Sequence, residues 1–334
     1  MGQRASTTPV QQARDTSWDY RYVWHIVAYS LVLYPVGLYG GYLFLVAAKW
    51  QTDIFTLLLY MASILGTTAG AHRLWSHRSY KAKWPLQLIL MIFQTIALQY
   101  SAINWARDHR MHHKYVDTDA DPHNATRGLF FSHLGWLMVD KHPEFERKIA
   151  ALDVSDLEAN PILRFQQKYY VILATISIVL PIVVPVYFWD ETWTNAFFVT
   201  MWFHHFCTYN AIALVNSALH KWGYKPYDKH MLATDTSKVC LVLLGESFHN
   251  YHHAFPWDYK AAEFGGPMFN FSSMFIEFFA KIGWAYDLKT VSNDVIQKRV
   301  TRTGDGSHHI WGWGDKDLLK EDVDAAIRIN PKDE

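Results

Sequence analysis

Four long apolar runs constrain the fold of this chain more than any other feature of its sequence. Each approaches or exceeds the roughly 17–25 residues that an α-helix needs to cross a bilayer core, and they cover residues 25–48, 54–71, 169–189 and 192–216. Lipid cannot satisfy backbone polar groups, so apolar segments of this length cross membranes as helices. Short polar connectors join the first run to the second and the third to the fourth. The pattern predicts an all-α membrane protein with four transmembrane helices in two hairpins.

Basic residues near the ends of the runs predict the orientation. Lys and Arg concentrate after the second run, before the third and after the fourth, whereas the two connectors share one Lys. By the positive-inside rule, residues 72–168 and 217–290 form a cytosolic helical cap, and both termini are cytosolic. We therefore expect a polar N-terminal segment (1–20), an integral membrane domain (21–290) and a polar C-terminal tail (291–334). The apolar stretch 86–100 is short for a span, so we interpret it as an interfacial or re-entrant helix.

Composition excludes several classes of function. The formal net charge is zero, so no global electrostatic field favours nucleic acid. The chain has two cysteines, Cys207 and Cys240, and neither belongs to a CxxC pair. Zinc-finger, iron–sulfur and redox-dithiol sites are therefore not expected.

Histidines recur in a helical pattern on the predicted cytosolic side. His109, His112 and His113 form one HxxHH motif, and His249, His252 and His253 form a second. Residues i, i+3 and i+4 share one face of a helix, so each motif directs three imidazoles to one point. Two further pairs lie at the ends of apolar runs: His72 with His77, and Asn216 with His220.

These residues predict a metal centre. Nine histidines and one asparagine are too many ligands for one ion, so we expect two ions, each with an open position. The absence of thiolates leaves zinc, iron, copper or manganese, and a site against the bilayer favours iron and the oxidation of a lipid-soluble substrate. His72 and His77 are separated by about 140° on an ideal helix, so we expect the helix to unwind between them. Among the nine remaining histidines, six are isolated or lack such a pattern, and we assign them ordinary polar contacts: His25, His133, His142, His204, His205 and His230.

The sequences of these motifs resemble those of the membrane acyl-CoA desaturases, with details typical of insect, moth-type enzymes. The resemblance is dense from Thr68 to Asp287 and includes the stretches 72–77, 104–113, 117–124, 216–220 and 249–259. It implies a four-span endoplasmic-reticulum protein whose cytosolic cap holds two Fe²⁺ ions. Matching the family motifs implies nine iron ligands and one residue, Asn216, that acts through a bound water; the nine are His72, His77, His109, His112, His113, His220, His249, His252 and His253.

The resemblance also implies the reaction and its partners. The family uses O2 and two electrons to introduce a double bond into a fatty acyl-CoA. The chain has no flavin fingerprint and no haem-type His-Pro-Gly-Gly sequence, so the resemblance implies cytochrome b5 and its reductase as electron donors.

Four residues match family positions that contact substrate. Tyr60 and Ile64 correspond to the far end of the acyl tunnel, and Arg107 and Lys141 correspond to its mouth, where cations bind the CoA phosphates. A bulky Ile64 would shorten the tunnel, so we expect chains of sixteen carbons or fewer to be preferred. The sequence departs from common family residues at Tyr100, Asp140 and Ala213, positions that bear on head-group binding and on the position of the double bond. The expected product is a delta-9 or delta-11 bond, for unsaturated fatty acid or pheromone-precursor synthesis.

Two alternative functions are compatible with the histidine pattern. The nearer one is a hydroxylase or sterol oxidase of the same histidine-rich superfamily. The other is a membrane metal transporter, which would carry ionisable ligands along a path within the spans. The clusters of this chain lie just outside the predicted spans, which favours an enzyme.

Overall fold

Helices form nearly all of the regular structure in the computed structural model, which describes residues 18–263, 270–308 and 320–326. Among these residues, three helices are long and apolar enough to cross a membrane: Trp24–Val46 (α1), Trp50–Ser76 and Tyr170–Trp189 (α9). The second consists of an α-helix, Trp50–Leu65 (α2), that continues as a π-helix over Gly66–Ser76. A helical membrane protein is therefore confirmed at this level, and the fourth span stays a prediction.

The fourth apolar run is also helical. It comprises Trp193–Asn195 (α10), a π-helix over Ala196–Phe203, and His204–Ser217 (α11), and it packs against α1 and α2. Close approach is possible because Gly40 of α1 has no side chain: a Cβ there would lie 2.2 Å from the carbonyl oxygen of Phe198. Small residues at such crossings are typical of packed membrane helices.

The two short connectors meet at one end of the helices, as expected for two hairpins. The Glu191 carboxylate accepts hydrogen bonds from the backbone N–H of Lys49 (2.8 Å) and the hydroxyl of Thr52 (2.6 Å). Asn195 donates a side-chain hydrogen bond to the carbonyl of Ala47 at 3.0 Å. These contacts fix the first hairpin against the second at the end opposite the histidine motifs.

Shorter helices surround the other end. They are α3 (Trp84–Ile96), α4 (Ala102–Tyr115), α5 (Trp136–Met138), α6 (Pro143–Ile149), α7 (Ser155–Ala159), α8 (Pro161–Lys168), α12 (His249–Ala254), α13 (Phe271–Lys281), α14 (Asn293–Thr303) and α15 (Lys320–Ala325). A π-turn, Phe131–Gly135, precedes α5, and 3₁₀ turns occupy Ala125–Arg127 and Ala218–His220. Strands Lys81–Ala82 (β1) and Ala285–Tyr286 (β2) pair antiparallel, with Lys81 opposite Tyr286.

The main core includes residues of the π-helix that carries His72 and of α4, which carries His109. It joins the π-helix of 66–76 to α3, α4, α8 and α13 through buried side chains such as Trp75, Leu90, Leu163 and Ile276. The short apolar helix α3 packs along α2 and the π-helix, and Gly66 permits this approach, since a Cβ there would lie 2.2 Å from the backbone nitrogen of Gln94.

The segment expected to be a surface tail is partly packed. Ile296 and Val300, one turn apart on α14, are buried in a cluster with Tyr227, Tyr251 and Phe255. An apolar pair at i, i+4 gives the helix one face to bury. Residues 1–17 of the expected N-terminal segment, and 309–319 and 327–334 of the tail, lie outside the described residues.

Candidate metal centre

A π-helix brings His72 and His77 together. The backbone N–H of His77 donates to the carbonyl of His72 at 3.1 Å, an i→i+5 hydrogen bond that closes one π-turn. The two imidazole centroids lie 4.9 Å apart. The expectation that the helix unwinds between these residues is wrong, because a wider helical turn brings residues five apart onto one face.

The two HxxHH motifs lie on α4 and α12, which face each other across the site. Ser101 caps α4 by accepting a hydrogen bond from the backbone N–H of Asn104. Asp235 fixes the start of α12, since its carboxylate accepts from the backbone N–H groups of Asn250 (2.6 Å) and Tyr251 (3.1 Å). Each motif is therefore presented by a helix whose first turn is anchored.

The nine histidines form two adjacent groups. Within each group, one ligand atom from every member lies within 4.8 Å of all the others. The first group contains His72, His77, His109, His113 and His252; the second contains His112, His220, His249 and His253. Each HxxHH motif contributes to both groups, so the two sites share their supporting helices.

The spacing of the ring nitrogens fits a transition-metal ion in each group. In the first group, Nε2 of His72 and Nε2 of His252 lie 2.8 Å apart, and those of His77 and His109 lie 2.9 Å apart. In the second, the His220–His249 distance is 3.0 Å. Nitrogens in neighbouring positions around one ion, each bonded at ~2.1 Å, lie about 3 Å apart. Two imidazole lone pairs repel at such a distance, and a cation between them removes the repulsion.

Carboxylates define which nitrogen of the imidazole carries the proton. Nδ1 of His72 lies 3.0 Å from Oε2 of Glu246, and Nδ1 of His112 lies 2.9 Å from Oδ1 of Asp121. A neutral histidine that donates from Nδ1 has its lone pair on Nε2, the atom that faces the other histidines. Asp117 approaches Nδ1 of His220 less closely, at 3.7 Å.

Glu246 is itself held by a buried arginine. Nε and Nη2 of Arg73 both donate to Oε1 of Glu246, at 3.0 and 2.7 Å, and Nη1 donates to the carbonyl of Tyr259 and the hydroxyl of Ser273. Arg73 is 1% exposed. Burial alone would raise the pKa of Glu246, but the charge of Arg73 and the contact with His72 lower it to about 2.

Burial keeps most of the imidazoles neutral, as ligation requires. Loss of solvation, together with the neighbouring histidines, lowers the pKa values of six of them well below the ordinary value: His77, His109, His113, His249, His252 and His253. His112 differs. Its burial also disfavours the charged form, but the carboxylate of Asp121 outweighs it and raises the pKa.

The sequence did not reveal the carboxylates or a tenth histidine. His112, Asp121 and His123 form a third group of potential ligand atoms, and the His123 ring lies 4.8 Å from that of His112. Asp121 and His123 belong to the family-like stretch 117–124, and Glu246 lies three residues before the second HxxHH motif. An acidic residue near each motif is visible in the sequence. Only the contacts in the structure show which imidazole nitrogen its carboxylate approaches.

The predicted substrate residues fall in two places. Ile64 is 2% exposed and packs in a cluster with Ala211, Leu219 and Leu243, and the Tyr60 hydroxyl donates to the carbonyl of Val242 at 2.5 Å. Both residues therefore face protein, with Ile64 fully enclosed. Whether they end an acyl tunnel stays a prediction.

Arg107 and Lys141 lie elsewhere, beside Asp108 and Trp136. Arg107 pairs with the adjacent Asp108 at 3.0 Å, and Nζ of Lys141 lies 4.2 Å from the ring centroid of Trp136. Burial lowers the pKa of Lys141 to about 8, a shift that the carboxylate of Asp108 opposes and the charge of Arg107 reinforces. Asn216 lies one helical turn before His220 and lines a cavity that also reaches His109 and His123.

Several isolated histidines make the ordinary polar contacts expected for them. His204 contacts the hydroxyl of Ser63 at 2.9 Å, and His133 lies within hydrogen-bond distance of both Ser217 and Asn210. His142 caps α6 by accepting from the backbone N–H of Glu144. None of these three belongs to the histidine groups formed by the described residues.

Comparisons with known proteins identify the family. The fatty acid desaturase family model matches residues 48–262. The chain is 56% identical to an acyl-CoA Delta-9 desaturase of Acheta domesticus, over 91% of this chain and 85% of the relative. It is 49% identical to an acyl-CoA Delta(11) desaturase of Trichoplusia ni, over 96% and 92%, and 48% identical to the human stearoyl-CoA desaturase, over 86% and 80%. The resemblance found in the motifs is confirmed.

Proposed function

Because the chain belongs to the fatty acid desaturase family, we propose that it is an O2-dependent di-iron enzyme that introduces a double bond into a fatty acyl-CoA. The chain is an oxidoreductase of this class. The observation that carries the proposal is the pair of adjacent histidine groups, whose nitrogen spacings and neutral imidazoles suit two transition-metal ions.

The ligands of the two ions follow from the two groups. His72, His77, His109, His113 and His252 would hold one iron, and His112, His220, His249 and His253, with Asn216 through a water, would hold the other. Imidazole ligands suit iron as well as zinc, copper and nickel, and membership of the desaturase family favours iron among them. When bound, the ions would supply the activation of O2, so that O2 with two electrons and two protons takes two hydrogens from adjacent CH2 groups and leaves as two waters.

The residues of the chain prepare the site for this chemistry. Glu246 and Asp121 keep protons on Nδ1 of His72 and His112, so that both Nε2 atoms are free to ligate. The buried core around Trp75 and Leu90 closes one side of the site to water. A dry site protects a strong oxidant from side reactions.

The membrane arrangement completes the proposal. Four spans, counting Trp193–Ser217 as the fourth, would carry a cytosolic helical cap, with both termini cytosolic, in the endoplasmic reticulum. The contacts of Glu191 with Lys49 and Thr52 support this arrangement because they join the two connectors at the end away from the histidines. Cytochrome b5 and its reductase would then deliver electrons on the cytosolic side.

The proposal extends to the acyl chain length and to the position of the double bond. We propose sixteen-carbon acyl-CoA as the favoured substrate, since the enclosed Ile64 limits space beside α11. We propose a delta-9 or delta-11 position, which are two of the activities named for the insect relatives; a Delta-12 desaturase and a conjugase are also among them. The product would serve unsaturated fatty acid or pheromone-precursor synthesis.

Expression in a desaturase-deficient yeast tests the proposal. The intact chain should restore unsaturated fatty acids, and mapping of the double bonds gives chain length and position together. His113→Ala should abolish the product, whereas His230→Ala, which changes an exposed histidine outside both groups, should not. A product that gains oxygen would indicate a hydroxylase, and a metal-dependent growth effect without unsaturated product would indicate a transporter.

A further inference from the structure

A crevice of about 290 Å³ lies beside the metal centre and reaches His220 of the second histidine group. Its lining includes two hydroxyl residues, Ser132 and Ser217, and two lysines, Lys221 and Lys225. Lys221 is exposed, so the crevice opens to solvent. A space of this size with several polar partners holds water.

A hydrogen-bonded pair of side chains lies between this crevice and the cavity that Asn216 lines. The cavity has a volume of about 400 Å³, and half-buried His133 forms part of its wall. Oγ of Ser217, a residue that lines the crevice, lies 2.8 Å from Nδ1 of His133. No described residue lines both spaces. The contact between Ser217 and His133 therefore links the crevice with the cavity.

Asn210 determines which proton His133 presents to the cavity. The side-chain nitrogen of Asn210 donates to the carbonyl of Phe206 at 2.8 Å, so its Oδ1 faces Nε2 of His133 at 3.2 Å. An oxygen acceptor at this position favours a proton on Nε2. The same Oδ1 accepts a shorter hydrogen bond, 2.9 Å, from the hydroxyl of Tyr34. The longer bond to Nε2 is the weaker one, and it leaves this proton available to water in the cavity.

The hydroxyl of Ser217 suits both protonation states of His133. It has two acceptors within reach, Nδ1 of His133 at 2.8 Å and the carbonyl of Ala213 at 2.7 Å. When His133 is neutral and carries its proton on Nε2, the hydroxyl donates to Nδ1. When His133 is charged, Nδ1 donates to Oγ and the hydroxyl turns to the carbonyl of Ala213. Rotation of one hydroxyl group therefore keeps every hydrogen bond as His133 gains or loses a proton.

We propose that Ser217 and His133 relay protons from the water of the crevice to the end of the cavity at Asn216. The inference rests on the proposed function, because the reduction of one O2 to two waters during desaturation consumes two protons. An acyl chain in the cavity would displace water there, whereas the crevice stays open to solvent. In each passage one proton enters the ring at Nδ1 and one leaves at Nε2. Rotation of the ring about its Cβ–Cγ bond then restores the first state.

Solvent isotope effects test the relay in the iron-loaded protein. His133→Gln can keep hydrogen bonds to Ser217 and Asn210 but cannot pass a proton between them. It should lower kcat for palmitoyl-CoA about tenfold or more, increase the isotope effect of D2O on kcat, and leave the KM and the bound iron unchanged. Ser217→Ala should do the same, and the double variant should be no slower than either single one. His204→Gln is the matched control, because its imidazole contacts the hydroxyl of Ser63 at 2.9 Å and lines neither space.

Thiol labelling tests the crevice without iron or turnover. Ala125→Cys places a thiol in the crevice, in a chain whose Cys207 and Cys240 are replaced by alanine. A charged, water-soluble thiol reagent should label the metal-free protein in lipid nanodiscs. Leu129→Trp, which fills the crevice, should largely abolish this labelling and slow desaturation as His133→Gln does. Phe130→Trp, at an exposed residue outside both spaces, is the control and should do neither.

Three outcomes would overturn the relay. These are an Ala125→Cys thiol that the reagent does not reach, an unchanged kcat and isotope effect in His133→Gln and Ser217→Ala, and an additive loss in the double variant, which would indicate two independent structural roles. Yeast complementation by the intact chain separates this inference from the proposed function. Restored unsaturated fatty acids with a failed relay leave the desaturase function standing, and a lack of complementation refutes that function, whatever the labelling shows.

Discussion

Replacing Glu246 by glutamine should weaken iron binding and destabilise the protein together. The glutamine keeps the size of the side chain but removes the charge that Arg73, 1% exposed, depends on. It can also present an N–H group to Nδ1 of His72, which would favour the tautomer whose proton is on Nε2, the ligating atom. One substitution thus acts on both an ion pair and a proposed iron ligand.

The expected loss of stability follows from the buried ion pair of Glu246 and Arg73. Breaking a buried ion pair by removing one partner costs about 3–5 kcal/mol. The pKa of Glu246 gives a consistent value, since its lowering from the ordinary 4.5 to about 2 corresponds to roughly 3 kcal/mol. Because the folded-state pKa is the lower one, this stability is present above pH 4.5 and lost as the pH falls toward 2. Loss of a carboxylate that orients a ligand lowers metal affinity about 10–100-fold.

The measurement is made on the metal-free and iron-loaded protein in detergent. The free energy of unfolding of the metal-free form should fall by about 3 kcal/mol. Titration of the metal-free protein with iron should show the loss of affinity. Glu144→Gln, at an exposed ion pair with Arg147 that solvent screens, is the control and should leave both the stability and the iron affinity unchanged. An E246Q protein with wild-type iron affinity and stability would refute the assigned role of Glu246.

Three further predictions address the two histidine groups, the chain length and the head-group site. His220→Ala and His77→Ala, one from each group, should each lower bound iron by about half, as counted by elemental analysis; complete loss from one and none from the other would contradict two separate ions. Ile64→Ala opens space in an enclosed cluster and should raise the ratio of stearoyl- to palmitoyl-CoA desaturation. The substitution should also lower stability by about 2–5 kcal/mol. An unchanged ratio would contradict the chain-length proposal. Lys141 loses its charge as the pH rises through about 8, so the KM for palmitoyl-CoA should increase between pH 7 and 9. Lys141→Gln should raise the KM about tenfold at pH 7 and flatten this dependence, and Lys168→Gln should do neither.

The sequence by itself determined the chemical class of this protein. The apolar runs required helices in a membrane, and two HxxHH motifs with two flanking pairs identified all nine histidines that the structure gathers into two groups. These inferences succeeded because they depend on local periodicity: imidazoles at i, i+3 and i+4 share a face whatever the rest of the chain does.

Only the tertiary structure decided how these residues are held and what lies beside them. In an ideal α-helix His72 and His77 would lie on different faces. In this structure a π-turn brings them together, and packing against α3 and α13 stabilises it. Glu246 meets Arg73 across 173 positions of sequence. Such contacts join distant segments, and their partners are selected by burial and charge compensation, which spacing along the chain does not encode.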